Sequence, residues 1–254
     1  MLFRSIVGLA GVAFTPTVVL IAIATALIAA VGMSARRSGT RKSGVSLHPS
    51  DIAGVGILSL TLRLPGLSYS EFQGDEVEAI VQAGALVTGL PNALFFHGKA
   101  PAEVILSGFA YGLAGTADEF SLRFLFSLAG ALAVLVIAAL GNELFGRCAG
   151  IIAGVTAALA GYYVAFARIL QYQSLVLLFG SAAVLTALYA HSGSRRWVLV
   201  TGLFLGAGLL SHYDAIFVAP AIVIVAFRQI LSGSKLNRSE EHTSELQSRG
   251  LISY

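Results

Sequence analysis

A series of long apolar runs separated by short polar segments constrains the fold of this chain most. Because a backbone in hydrocarbon finds no water to hydrogen-bond with, an apolar run of about 17 to 25 residues predicts a spanning helix. The chain offers six or seven such runs, and the last two are short. They cover residues 6–31, 51–65, 120–144, 148–167, 169–190, 197–211 and 215–227. The sequence therefore predicts an all-α, polytopic transmembrane helical bundle.

The composition excludes most classes of soluble protein. Of the 254 residues, 56% are hydrophobic and only 11% are charged, and the mean hydropathy is +0.83. These charged residues are too few to cover the water-exposed surface of a globular domain. We therefore expect the protein to be surrounded by membrane lipid, which is its predicted partner. The net charge of +3 is too small to imply a polyanionic partner, and no nucleic-acid binding is expected.

The placement of charge predicts the orientation in the membrane. Short cytoplasmic loops retain Lys and Arg, and here these residues occupy alternate loops. The loops predicted to face the cytoplasm hold residues 36–42, Arg147, residues 195–196 and residues 228–235. Eight of the ten acidic residues before residue 238 lie in the intervening segments. The long polar segment 66–118 is therefore predicted to be an extracytoplasmic loop.

Both ends of the chain need separate interpretation. Residues 1–33 are predicted to be a hydrophobic anchor, and residues 34–50 a basic cytoplasmic segment. A signal sequence cleaved near Ala30 and translation starting at Met33 are the alternatives. Residues 238–248 resemble the translation of a sequencing-library adapter, which predicts that residues 238–254 are non-native. The transmembrane domain, residues 51–237, would then be a truncated piece that is inactive by itself.

The loop 66–118 contains two stretches of helical periodicity that are predicted to lie along the membrane interface, residues 76–89 and 102–113. Asp75 comes just before the first of them, where a carboxylate is favoured by exposed N–H groups and could cap the helix. Side chains of consecutive residues diverge, so either Asp75 or Glu76 could face a cavity while the other is anchored to the scaffold. A solvated helix start is the alternative interpretation.

Several short motifs, taken in order, resemble the amino-terminal half of glycosyltransferase family 39. This family includes protein O-mannosyltransferases and lipid A aminoarabinose transferases of the GT-C superfamily. The motifs are Leu62-Arg63-Leu64-Pro65-Gly66-Leu67, Asp75-Glu76, His97-Gly98-Lys99-Ala100-Pro101, Phe120-Ser121-Leu122-Arg123-Phe124 with Gly130, and the stretch 146–176. The resemblance covers residues 52–227. Gln171 stands where some members of the family carry an acidic residue.

The resemblance implies a multi-pass enzyme, expected in the bacterial inner membrane. It would transfer a sugar, with inversion, from a polyprenyl-phosphate donor to a hydroxyl acceptor on a lipid, glycan or protein. Asp75 would accept the proton of the acceptor and Glu76 would orient the reacting groups. Arg123, Arg168 and Lys99 would bind the donor phosphate. For the two arginines, snorkelling to the membrane interface is the alternative.

The roles of several other polar residues and small-residue motifs allow more than one interpretation. His97 could bind a divalent metal, but a lone histidine is more often structural, so no cofactor is assigned. His212-Tyr213-Asp214 interrupts the last apolar stretch and marks either a cavity or a simple loop. The GxxxG motifs at residues 150–154 and 202–206 predict close helix packing. A transporter and a non-catalytic membrane scaffold are the alternative functions.

Overall fold

The computed structural model describes residues 46–95, 98–190 and 195–227, and every regular element in these ranges is helical. The predicted anchor 1–33, most of the basic segment 34–50, His97 and the tail 238–254 lie outside the described residues. The helices are α1 (Pro49–Arg63), α2 (Gly74–Val87), α3 (Ala102–Ala114), α4 (Glu119–Phe145), α5 (Arg147–Leu159), α6 (Gly161–Ala167), α7 (Gln173–Tyr189) and α8 (Arg195–Ser211). Short 3₁₀ helices cover Ala93–Phe95 and Tyr213–Val218.

Helix α4 is the centre of the bundle and packs against α1, α3, α5, α6 and α7, while α8 packs on α7. Its inner surface is apolar, with Leu122, Phe126 and Val134 nearly inaccessible to solvent. Asp118 caps α4, because its carboxylate accepts a 2.9 Å hydrogen bond from the backbone N–H of Ser121. The all-α membrane-type fold predicted from the sequence is confirmed.

The predicted spans agree with the helices to different degrees. Among the described residues, α4 alone is long and apolar enough to cross a bilayer by itself, and it matches the predicted span 120–144. The predicted span 148–167 is wrong as one straight helix, because α5 and α6 meet at a 60° bend and could form at most one broken span. The predicted span 169–190 begins four residues too early, since α7 covers Gln173–Tyr189. Helices α7, α8 and Tyr213–Phe227 are apolar but shorter.

The break between α5 and α6 leaves backbone carbonyls at the end of α5 that need partners, and α1 supplies the donor. Arg63, the last residue of α1, is fully buried and donates to the carbonyls of Ala157 and Ala158 at 3.3 and 3.2 Å. A cation is favoured at the carboxyl end of a helix, where the carbonyl dipoles point outward. Arg63 therefore stabilises the bend.

The charged residues separate to the two ends of the bundle. At one end, Arg147 makes a bidentate ion pair with Asp51, with N···O distances of 2.7 and 2.9 Å. At the other end, Arg123, Arg168 and their partners hold four segments together. These segments are the carboxyl end of α1, the amino end of α4, the connection that leads into α7, and the loop 66–118. The geometry agrees with the charge sorting seen in the sequence, while the side of the membrane that each end faces stays a prediction.

The two helices predicted in the loop 66–118 exist, but α2 differs in detail. It begins at Gly74 with Gln73 as its N-cap, so the prediction that Asp75 caps the helix is wrong. Glu76, Ala79 and Ala83 form its buried face. On the apolar face predicted for this helix, Val77, Val81 and Val87 are exposed and open to lipid at the interface, whereas Ile80 packs against the core.

Candidate active site

Asp75 and Glu76 are adjacent in the first turn of α2 but lie in opposite surroundings. The side chain of Asp75 is 61% exposed, whereas that of Glu76 is 1% exposed. Residue 76 belongs to the buried face that continues through Ala79 and Ala83, and residue 75 is rotated about 100° away from it on the helix. The divergence predicted from the sequence is therefore present, with Asp75 as the member that faces outward.

Glu76 is held by four donors. Its Oε1 accepts from Arg123 Nε and from the backbone N–H of Leu170, both at 2.8 Å. Its Oε2 accepts from an Arg123 terminal nitrogen at 2.7 Å and from the backbone N–H of Gln73 at 3.0 Å. Burial by itself would raise the pKa of Glu76, but these hydrogen bonds outweigh it and lower the pKa below the ordinary 4.5. The ionised carboxylate of Glu76 thus joins α2, α4 and the connection between α6 and α7.

Arg123 uses all of its hydrogen-bonding capacity within the protein. Besides its two bonds to Glu76, it donates to the carbonyls of Leu67, Ser70 and Glu71 at 2.8, 2.9 and 3.1 Å. A guanidinium has five N–H donors, and each of these five has an acceptor. Its side chain is fully buried. No donor of Arg123 is left for a phosphate, so its assignment to phosphate binding stays a prediction to which the geometry adds no support.

Asp75 is positioned from two sides by groups that bind its Oδ2. Lys99 Nζ and Gln171 Nε2 each lie 3.2 Å from this oxygen. Lys99 comes from the start of the segment that leads into α3, and Gln171 from the connection between α6 and α7. Among the described residues, Oδ1 has no hydrogen-bond donor. The carboxylate is therefore oriented at one oxygen and open at the other.

Arg168 differs from Arg123 because part of its side chain is accessible. It donates to the carbonyls of Leu62, Arg63 and Gly66 at 3.4, 3.3 and 3.0 Å. Gly66, whose carbonyl accepts from Arg168, has a φ of +66°, a conformation that glycine adopts without strain. The Nε–H of Arg168 has no acceptor among the described residues, so this guanidinium keeps a donor for an anion.

Tyr69 links the two arginines and was not singled out in the sequence. The guanidinium carbons of Arg123 and Arg168 lie 5.5 and 5.4 Å from the centre of its ring. Both distances fall within the range of cation–π attraction. No sequence signal distinguishes this tyrosine from the others in the chain, because its importance comes from residues that are 54 and 99 positions away.

Two cavities adjoin this cluster, one on each side of α6. The larger has a volume of about 620 Å³ and is lined mainly by apolar side chains, including Leu62, Leu159 and Ile169, with Arg168 and Gln73 as its polar residues. The smaller has a volume of about 200 Å³ and is lined by aromatic rings together with Gln173 and Asp214. Asp214 on its wall supports the cavity interpretation of the segment 212–214 over a simple loop.

The metal prediction receives no direct test. Within the residues that the structure describes, no three His, Cys, Asp or Glu side chains come close enough together to hold a metal ion. Since His97 lies outside them, its role as a metal ligand stays a prediction. The five other predicted site residues fall into three groups, which are Asp75 with Lys99, Glu76 with Arg123, and Arg168 alone.

The chain is similar to one known protein family. The family described as dolichyl-phosphate-mannose-protein mannosyltransferase matches residues 99–243, more than half of the chain. The match includes Lys99, Arg123 and Arg168 but starts after Asp75 and Glu76. No curated protein and no solved structure matches the chain. The chain therefore belongs to the dolichyl-phosphate-mannose-protein mannosyltransferase family, and it is a membrane glycosyltransferase of the GT-C type.

Proposed function

We propose that this protein transfers a sugar from a polyprenyl-phosphate donor to a hydroxyl acceptor, with inversion, and that Asp75 is the general base. The donor is suggested by the description of the family that matches the chain. The observation that carries the proposal is the state of Asp75, an exposed carboxylate held at Oδ2 by Lys99 and Gln171, with no donor to Oδ1 from the part of the chain that the structure describes. Such a group can accept a proton from a hydroxyl that approaches Oδ1.

The reaction that this geometry favours is a single displacement. The acceptor oxygen attacks the anomeric carbon of the sugar, the bond from that carbon to the phosphate oxygen breaks, and the phosphate leaves with the electron pair. Asp75 takes the hydroxyl proton. One base is sufficient for inversion, because no covalent enzyme intermediate has to be formed or hydrolysed.

Arg168 and Lys99 are proposed to bind the donor phosphate. Arg168 lies on the wall of the 620 Å³ cavity, whose apolar lining suits the first isoprene units of the carrier. Its unused donor could reach a phosphate oxygen at the polar end of that cavity. Lys99 would move partly from Asp75 to the departing phosphate, where negative charge develops during the reaction.

Glu76 and Arg123 are proposed to act as positioning residues. Their buried bidentate pair fixes the first turn of α2 against α4, and Glu76 also binds the connection between α6 and α7. Asp75 and Gln171 are carried on these same segments. A displacement of the base by about 1 Å can cost a large part of the rate.

We also propose that the protein resides in the bacterial inner membrane, with this end of the bundle on the extracytoplasmic side.

The proposal is tested by Asp75→Asn in the protein expressed from the complete gene. The change keeps the size of the side chain and removes the basic carboxylate, so sugar transfer should fall by about 10²-fold or more. Glu71→Gln is the matched control, because Glu71 is an exposed carboxylate of the same loop. Transfer should be measured with a labelled polyprenyl-phosphate sugar in membranes, with protein abundance determined in parallel.

Two results would contradict the proposal. Transfer at the wild-type rate by Asp75→Asn would eliminate this residue as the base. Equal losses from Asp75→Asn and Glu71→Gln would show that the negative charge of the loop acts as a general field rather than through one positioned carboxylate.

A further inference from the structure

The smaller cavity, between α4, α6, α7 and the segment that follows α8, has the lining of a carbohydrate site. Its wall carries four aromatic rings, those of Tyr162, Tyr163, Phe166 and Tyr172. Aromatic faces pack against the C–H bonds of a sugar ring, whereas the edges of the ring require hydrogen-bonding groups. A volume of about 200 Å³ is suitable for one six-membered ring, since a cavity of about 150 Å³ holds a benzene molecule.

The aromatic wall is fixed in place by contacts behind it. The ring of Tyr172 stacks on that of His212 with a centroid distance of 3.7 Å and an angle of 8° between the planes. His212 is 3% exposed and its Nδ1 accepts a hydrogen bond from the backbone N–H of Asp214. Tyr162 contacts Phe166 with a centroid distance of 4.6 Å. The cavity thus presents rings of defined orientation.

One lining residue of this cavity carries an unpaired polar atom, and a second unpaired atom lies behind its wall. Gln173 lines it, and its Oε1 is buried without a hydrogen-bond donor among the described residues. Arg63 Nε is likewise buried and unpaired, and it lies behind Gly130, where a Cβ would be 3.5 Å from it. Buried polar atoms are normally hydrogen-bonded, because leaving one unpaired costs free energy. Oε1 has no surface open to the cavity in this orientation, and a turn of the Gln173 amide would bring it to the cavity, where sugar hydroxyls could donate to it.

From this lining we propose that the smaller cavity binds the sugar ring of the donor. The inference rests on the proposed function and adds the subsite for the transferred group. Tyr172 connects this cavity to the reacting centre, since Lys99 Nζ lies 5.7 Å from the centre of its ring. The preceding residue, Gln171, donates to Asp75. A sugar in the cavity would therefore have its phosphate next to Lys99 and its anomeric carbon near the base.

Binding of carriers with and without a sugar tests this inference. The probes are dolichyl phosphate alone and dolichyl phosphate bearing mannose, glucose or 4-amino-arabinose, bound to the protein expressed from the complete gene. Gln173→Met is the principal variant, because it removes an unpaired acceptor while keeping the shape of the side chain. Loss of one hydrogen bond should weaken the best-bound sugar carrier about 5-fold, with dolichyl phosphate alone unaffected. The thermal stability should stay equal or rise.

Asp214→Asn is the second variant, and it should also weaken only the sugar carrier. Ser181→Ala is the control on α7, because Ser181 bonds to carbonyls of its own helix and lines neither cavity. If Gln173→Met and Asp214→Asn both bind the sugar carrier as the wild type does, the assignment of the smaller cavity to the sugar is wrong, while the proposed function stands. If they weaken dolichyl phosphate alone, the cavity holds the carrier rather than the sugar. If the wild type binds no carrier, the proposed function fails and this inference with it.

Discussion

Asp75 and Glu76 have the same type of side chain and adjacent positions, yet only one of them is accessible to a substrate. The sequence predicts that their side chains diverge, because consecutive residues of a helix point about 100° apart. It does not predict which one is buried. That outcome depends on Arg123, which is 47 positions away and donates two hydrogen bonds to Glu76. Gln171 and Tyr172 become part of the site through similarly distant contacts.

We predict that Glu76→Gln destabilises the protein much more than Glu71→Gln. Removing the carboxylate leaves the charge of Arg123 buried and unpaired, a change that typically costs about 3–5 kcal/mol. Glu71→Gln, on the exposed side of the same loop, should change the free energy of unfolding by less than about 0.5 kcal/mol. Thermal unfolding in detergent measures both. Equal Tm values for the two variants would show that the buried pair contributes nothing to stability.

The lowered pKa of Glu76 predicts a pH dependence of stability. In the unfolded chain this carboxyl protonates near its ordinary pKa of 4.5, and in the folded protein only at lower pH. Its contribution is therefore complete above pH 4.5 and is lost as the pH falls below 4.5 through the folded pKa. Stability measured from about pH 6 to about pH 3 should fall less steeply for Glu76→Gln than for the wild type. Parallel curves for the two proteins would contradict this.

At the scale of helices, the sequence predicts α4 well and the break in the next span not at all. Residues 120–144 form one uninterrupted apolar run, and α4 covers it. Residues 148–167 look equally continuous, but the helix bends by 60° after Leu159. The carbonyls freed at the break are stabilised by Arg63 from α1. Hydropathy is averaged over neighbouring residues, so it does not include a hydrogen-bond donor that comes from a distant helix.

Glycine packing was predicted for two GxxxG motifs and is confirmed for one of them. A Cβ at Gly150 would lie 2.7 Å from the carbonyl oxygen of Ala138, and one at Gly154 would lie 2.9 Å from Val55. For Gly202 and Gly206 it stays a prediction, since a Cβ there would meet no atom of the described residues within 4 Å. The small residues of α5 thus permit its close contact with α1 and α4.

This difference predicts opposite effects for the same substitution. Gly150→Ala should lower the Tm, because the clash with α4 costs about 1–3 kcal/mol, more than the gain in helix propensity. Gly202→Ala should raise it or leave it unchanged, since alanine favours a helix over glycine by about 1 kcal/mol. Thermal unfolding of both variants in the same detergent checks the comparison. A Tm for Gly150→Ala at or above that of Gly202→Ala would contradict the close packing of α5 on α4.

At the scale of the whole molecule, the sorting of charges was predicted from the sequence and agrees with the two ends of the bundle. The Lys, Arg, Asp and Glu residues of each loop are visible in the sequence, so the sorting of charges can be predicted without knowledge of how the helices pack. The two cavities could not be predicted in this way. Their walls combine residues from α1, α4, α6, α7 and the connections between them, and both are bordered by α6, which departs from the direction of α5 by 60°.

The orientation in the membrane gives a prediction that uses the single cysteine as a reporter. Cys148 is exposed at the end of the bundle predicted to face the cytoplasm. An impermeant thiol reagent should label it only after the cells are permeabilised. Ser68 is exposed in the loop 66–118, so Ser68→Cys in a Cys148→Ala background should be labelled on intact cells. The reverse pattern would place Asp75 in the cytoplasm and overturn the proposed location of the chemistry.

Helix α6 is only seven residues long, and Phe166 on it borders both cavities. A shift of this short helix that enlarges one cavity must narrow the other. If the larger cavity holds the isoprenoid and the smaller the sugar, the protein cannot adapt to a bulkier carrier without also altering its choice of sugar. Among relatives of this enzyme, preferences for carrier and for sugar should then change together, accompanied by substitutions in Gly161–Ala167.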